Sequence, residues 1–164
     1  MRKISKEGLH LCDMQARTFE SSVDFASVSS EIFIRRFMNS KVAKMLDNEA
    51  VLQTTLYEKD FLNMIEEQYG ASQYGSIKYT HNEMFWIGYL YRYFSYTYGL
   101  TSTKVYKIVK PKELRGLFLS YHTMDPTQAI ERILESKGIS FDENFELKRQ
   151  YEIYKKIRKR CKLR

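Results

Sequence analysis

Apolar positions along this chain recur mostly at helical rather than alternating spacing. From Ser27 or Ser29 as N-cap, Ile34, Phe37, Met38, Val42, Met45 and Leu46 share a face, while Arg35, Arg36, Lys41 and Lys44 take the others. This predicts one amphipathic helix, with a candidate break at Asn39-Ser40. A second helix is expected over 49–69, on Leu52, Leu56, Phe61, Leu62 and Ile65, and Gly70 marks its end. Residues 70–79 read as an exposed loop with room for one extended stretch.

The sharpest local signal follows. Thr80-His81-Asn82-Glu83 is a capping box, with Thr80 as N-cap and Glu83 three residues on. The helix it opens, 81–98, has Met84, Phe85, Trp86, Ile87, Tyr89, Leu90, Tyr91, Tyr93, Phe94, Tyr96 and Tyr98 all round it. A helix apolar on every side belongs in the middle of a fold. Shorter helices are expected over 102–109 and 111–120, the latter opened by Pro111. Asp125-Pro126 caps another, with Ala129, Ile130, Ile133 and Leu134 as its stripe and Gly138 after its end. Ser140 and Glu143 offer a capping box for a last helix over 141–161, whose Phe145, Leu147, Tyr151, Tyr154 and Ile157 are expected to face inward. Periodicity is weak over 1–24, which reads as a partly ordered lead-in with a short helix near 14–19. The expectation is an all-α fold: a single compact domain over 1–164, with roughly seven helices around the central aromatic one.

Composition agrees with this. Only 7 Gly and 2 Pro occur in 164 residues, too few turn formers for a many-stranded sheet, and 43% hydrophobic content is enough for a core. The net charge of +7 is unevenly spread. Residues 151–164 hold seven cations and the single acid Glu152, so they account for +6 and leave +1 for the rest. The basicity is a C-terminal tail, 155–164. In it Lys155, Lys156, Arg158, Lys159 and Arg160 are the candidate contacts to nucleic acid or to an acidic partner. A solvated helix end is the simpler reading, since cations suit a helix C-terminus.

Cys12 and Cys161 stand near opposite ends, which is no disulfide framework, and no Cys/His cluster points to a metal. The N-terminus lacks an apolar leader and no run approaches a membrane span, so the chain reads as cytoplasmic with no membrane partner. The sequence carries no phosphate-binding glycine loop, GxSxG elbow, HExxH or CxxC pair. His122, between Tyr121 and Thr123, is the histidine best placed for acid–base work, but turn histidines usually satisfy local backbone groups. His10 lies in the lead-in, and His81 in the first turn of the aromatic helix. The chain is therefore read as non-enzymatic and without a cofactor.

What the composition offers is a binding surface. Trp86, Tyr89, Arg92, Tyr93 and Tyr96 lie on the aromatic helix and are residue types that dominate protein interfaces. Each has a competing role: the rings as core, and Arg92 as a buried cation paired with a carboxylate.

Three stretches resemble a small family of proteins from Gram-positive gut bacteria, labelled antitoxins and encoded beside toxins similar to ADP-ribosyltransferases. They are Ser30-Glu31-Ile32-Phe33-Ile34-Arg35-Arg36-Phe37-Met38-Asn39-Ser40, Trp86-Ile87-Gly88-Tyr89-Leu90-Tyr91-Arg92-Tyr93, and Tyr121-His122-Thr123-Met124-Asp125-Pro126 with Gln128-Ala129-Ile130-Glu131-Arg132-Ile133-Leu134. The likeness covers about residues 15–137 and leaves the basic tail outside. It implies a protein that neutralises a cognate toxin by forming a complex with it, and it transfers no functional positions. The alternative is a nucleic-acid-binding regulator using the tail. For a helix-turn-helix in the body, the candidate recognition segment Ser102-Thr103-Lys104-Val105-Tyr106-Lys107 carries only two cations.

Overall fold

Hydroxyl side chains start five of the helices of this protein. In the computed structural model, which describes residues 1–141 and 143–162 without the side chains of 143–146, 160 and 162, Ser5, Ser29, Ser40, Thr80 and Thr101 each accept a hydrogen bond from the backbone N–H three residues on, at 3.1–3.4 Å. Each satisfies one of the donors that a helix start leaves unpaired. The helices that result are α1 (Lys6–Phe25), α2 (Ser30–Met38), α3 (Lys41–Asp47), α4 (Glu58–Tyr69), α5 (His81–Tyr98), α6 (Ser102–Ile108), α7 (Pro111–Tyr121), α8 (Pro126–Ser136) and α9 (Glu143–Lys162), with a 3-10 turn over Ala50–Gln53. Among the described residues there is no strand, so the all-α expectation stands, with nine helices where about seven were expected. The chain divides into two compact units, Met1–Thr127 and Gln128–Arg164.

The first unit is built around α1 and α5. The aromatic helix has the predicted bounds. Glu83 closes the capping box by accepting from the Thr80 N–H at 2.9 Å, and Gly99 ends the helix in the left-handed conformation. The expected lead-in over 1–24 is corrected: most of it is α1, a 20-residue helix whose Leu11, Cys12, Ala16 and Phe19 are fully buried. Its buried face also includes Gly8, Gln15, Thr18 and Ser22, which are small or polar, so it gives little hydrophobic periodicity. Those residues serve close approach. A side chain at Gly88 of α5 would stand 2.8 Å from the Phe19 ring and 3.0 Å from the Ala16 backbone, and one at Gly8 would stand 2.7 Å from the Tyr96 ring. With Gly8 near the end of α5 and Phe19 near its middle, the two helices run antiparallel.

The amphipathic helix read from Ser29 does break at Asn39-Ser40, into α2 and α3, because the Ser40 hydroxyl caps a new helix. The helix expected over 49–69 starts later. Glu49 takes a left-handed φ of 62°, and α4 is opened by Asp60, which accepts from the Tyr57 N–H at 2.8 Å. The loop 70–79 clings to the start of α2: Ser29 and Ser30 donate to the carbonyls of Tyr74 and Ile77 at 2.9 and 3.0 Å.

In the second unit, α8 buries Ala129, Ile130, Ile133 and Leu134 and is followed by Gly138 at φ 64°. The inward face expected of α9 is corrected: Leu147, Tyr151, Tyr154 and Ile157 are 56–64% exposed. Cations flank that stripe, and taking them out of water without partners is costly. The Phe145 side chain and the Glu143 half of the expected capping box lie outside the described residues.

Candidate functional site

The five residues singled out on α5 separate into a buried core and a partly exposed fringe. Arg92 is 1% exposed and is a structural cation rather than one offered to a partner. Its guanidinium donates to Asp47 Oδ1 at 2.7 Å, Gln15 Oε1 at 2.9 Å, Ser102 Oγ at 2.7 Å and Ser95 Oγ at 3.3 Å. Asp47 accepts in turn from the Ser102 N–H at 3.0 Å and the Ser102 hydroxyl at 2.6 Å. Gln15 donates to the Gly88 carbonyl at 3.1 Å. Burial pushes the Arg92 pKa down from its ordinary value, and the adjacent Asp47 carboxylate opposes that shift. The network joins α1, α3, α5 and the start of α6, and among the described residues no buried side-chain nitrogen or oxygen lacks a partner.

Tyr93 is 8% exposed, and its phenol meets the Thr127 hydroxyl at 2.9 Å. It closes a ladder of near-parallel rings along α5, Phe85 to Tyr89 at 6.5 Å and Tyr89 to Tyr93 at 6.3 Å. Burial raises the Tyr89 phenol to about 12. Trp86 meets Phe118 of α7 edge-on at 5.8 Å. Tyr96 takes the Arg2 guanidinium over its ring at 3.7 Å and meets the Ser5 hydroxyl at 2.7 Å. The structure therefore brings Tyr89 and Tyr93 together and commits Trp86 and Tyr96 to neighbours of their own.

Two of the three histidines are engaged locally. His122 Nδ1 lies 2.7 Å from the Phe118 carbonyl and its ring stacks on Phe118 at 4.5 Å, while His81 meets Asp24 at 2.9 Å. Among the described residues no group of three His, Cys, Asp or Glu is arranged to hold a metal. The Cys12 thiol is raised to about 12, chiefly by burial, and is not an available nucleophile.

Another surface went unread in the sequence. A groove of about 400 Å³ lies between the end of α1, α2, α4 and the loop after it. Phe25, Val28, Phe33, Leu62 and Ile65 contribute its apolar lining, and Arg36, Lys59, Glu58 and Glu66 its charged one. Phe25 is 77% exposed. No periodic signal marks Phe25, because it is the last residue of a helix whose pattern is masked by small residues.

The basic run lies on α9. Lys155, Lys156, Arg158 and Lys159 are exposed there, with Lys155 3.3 Å from Glu152 and over the Tyr151 ring at 4.5 Å; the Arg160 side chain lies outside the described residues. Comparison of the chain with protein-family models, with curated proteins and with solved structures found no match.

Proposed function

We propose that this protein is a non-catalytic antitoxin or inhibitor that neutralises a cognate toxin by direct complex formation, the toxin being similar to ADP-ribosyltransferases. The observation that carries the reading is the groove beside Phe25. It is an apolar cleft with cations and acids both on its walls, and one of its two aromatic rings, Phe25, is left in water. A solvent-facing Phe beside an apolar cleft suits an apolar anchor from another protein, with charges of both signs fixing its orientation. The occupant is taken to be an apolar side chain on a helix or loop of the toxin, flanked by residues of both signs. Ser27 donates to the Ser72 carbonyl at 2.6 Å and Arg36 to the Ser72 hydroxyl at 3.0 Å, which ties the loop after α4 to α2 and the turn before it, so this wall is formed before a partner arrives, which lowers the cost of association.

The test is co-expression with the product of the adjacent gene. If that product arrests growth, the wild-type chain is expected to restore growth and to co-purify with it. Phe25→Asp, which adds a charge at an exposed position, should abolish both while leaving the thermal unfolding of the chain unchanged. Rescue without a physical complex would defeat direct neutralisation, and a complex indifferent to Phe25→Asp would move the interface elsewhere.

A further inference from the structure

Helix α9 joins two features that are separate elsewhere in the chain, an exposed apolar stripe and a dense positive charge. We propose that it lies in the plane of an anionic lipid surface and docks the protein there, a property beyond the protein-binding reading and independent of it. At 3.6 residues per turn, Leu147, Tyr151, Tyr154, Ile157 and Cys161 fall within an arc of about 120°, which also takes in Gln150 and the exposed Arg158, so the stripe has one cation set into it. Leu147, Tyr151, Tyr154 and Ile157 are 56–64% exposed, and Ile153, about 40° beyond the arc, is 50% exposed. Lys148 and Lys155 project from one flank of the arc and Arg149 from the other, all three exposed. Over 143–162 the sequence holds eight cations and three acids, a net +5 on one helix.

This arrangement discriminates among occupants. A nucleic acid would engage the cations and leave the stripe in water. A second copy of the helix would cover the stripe and bring together two segments of the same charge. An anionic membrane satisfies both faces at once. The stripe sinks to the boundary between headgroups and acyl chains, the flanking lysines and arginines reach the lipid phosphates, and the tyrosines sit where an apolar ring with a polar tip is favoured. A helix lying on a bilayer differs from one crossing it. Among the described residues no helix is long and apolar enough to cross, and α9, at 20 residues and strongly charged, matches the in-plane class.

The full chain is mixed with vesicles of phosphatidylglycerol and phosphatidylcholine in equal parts, or of phosphatidylcholine alone, and sedimented at low and at high salt. Binding to the anionic vesicles is expected to exceed binding to the neutral ones by about tenfold or more and to fall with salt. The double variant Tyr154→Asp/Ile157→Asp should lose it. Lys155→Gln/Lys159→Gln, which keeps the stripe, should weaken it and flatten the salt dependence. Equal binding to both vesicles, or none to either, overturns the proposal. So does a shift of a DNA duplex that persists in Tyr154→Asp/Ile157→Asp while vesicles stay unbound, which would assign the helix to nucleic acid. A dimer in light scattering that Tyr154→Asp dissolves, without vesicle binding, would assign the stripe to a second copy.

Discussion

Helices α5 and α9 start from similar material and end in opposite environments. Both carry aromatic and aliphatic residues at helical spacing, and α5 buries ten of its residues while the apolar stripe of α9 stays more than half exposed. The difference lies in charge and in size. Within the buried part of α5 there is one cation, Arg92, and the fold supplies it with Asp47, Gln15, Ser95 and Ser102. Helix α9 carries eight cations against three acids, too many to enter a core with a partner each. Helix α5 also has Gly88, which lets α1 come within backbone distance; α9 has no glycine. Aromatic spacing makes a helix, and the charges between the rings decide whether it is buried.

The largest test of this contrast removes the partner of the buried cation. Asp47→Ala is expected to destabilise the protein by about 3 kcal/mol, the lower end of the range for breaking a buried pair because the Asp47 side chain is 16% exposed. Urea unfolding checks it, and a loss below about 0.5 kcal/mol would show that Arg92 needs no carboxylate. Gly88→Ala comes next. Its Cβ would press on Phe19 and on the α1 backbone at Ala16, and about 1–3 kcal/mol should be lost as the helices separate. A neutral result in the same titration would mean that the α1–α5 contact is slack. Tyr91→Phe deletes the hydroxyl that donates to the Val109 carbonyl at 2.7 Å and should cost about 1 kcal/mol, measurable as a lower melting temperature.

At the other end of the scale, Tyr154→Ala in α9 should change stability by no more than about 0.5 kcal/mol, since the ring is 60% exposed. A larger loss would show that the stripe contributes to the core after all. The two cysteines give the same contrast by chemistry. In the native protein iodoacetamide should label Cys161, which is exposed, and spare Cys12, which is buried with its thiol raised to about 12. Raising the pH from 7 to 9 should still leave Cys12 unlabelled, because its thiol remains protonated. Mass spectrometry counts the labels, and two labels without denaturant would contradict the burial of Cys12.

Much of the architecture was legible from capping residues. Thr80 with Glu83, Ser29, Ser40 and Asp125 mark helix starts, because the bonds they make are local and span three residues or fewer. Helix α1 was not legible. Its buried face of Gly8, Cys12, Gln15 and Ala16 is chosen for the distance to α5, and distance to another element leaves no periodic trace in either sequence. The candidate surface divided in the same way. The sequence showed that Trp86, Tyr89, Arg92, Tyr93 and Tyr96 share one stretch of helix, but not that Arg92 meets Asp47, 45 residues earlier, and so leaves the surface.

By itself the sequence determined the helical class, the bounds of α5 and the concentration of charge in the last segment. Each follows from interactions among neighbours along the chain or from composition alone. Tertiary structure decided which apolar stripes are covered, that Arg92 is a core ion and that Phe25 stands open beside a groove. Those outcomes depend on which surfaces remote segments bring together, and on whether each charge carried inward finds a partner there.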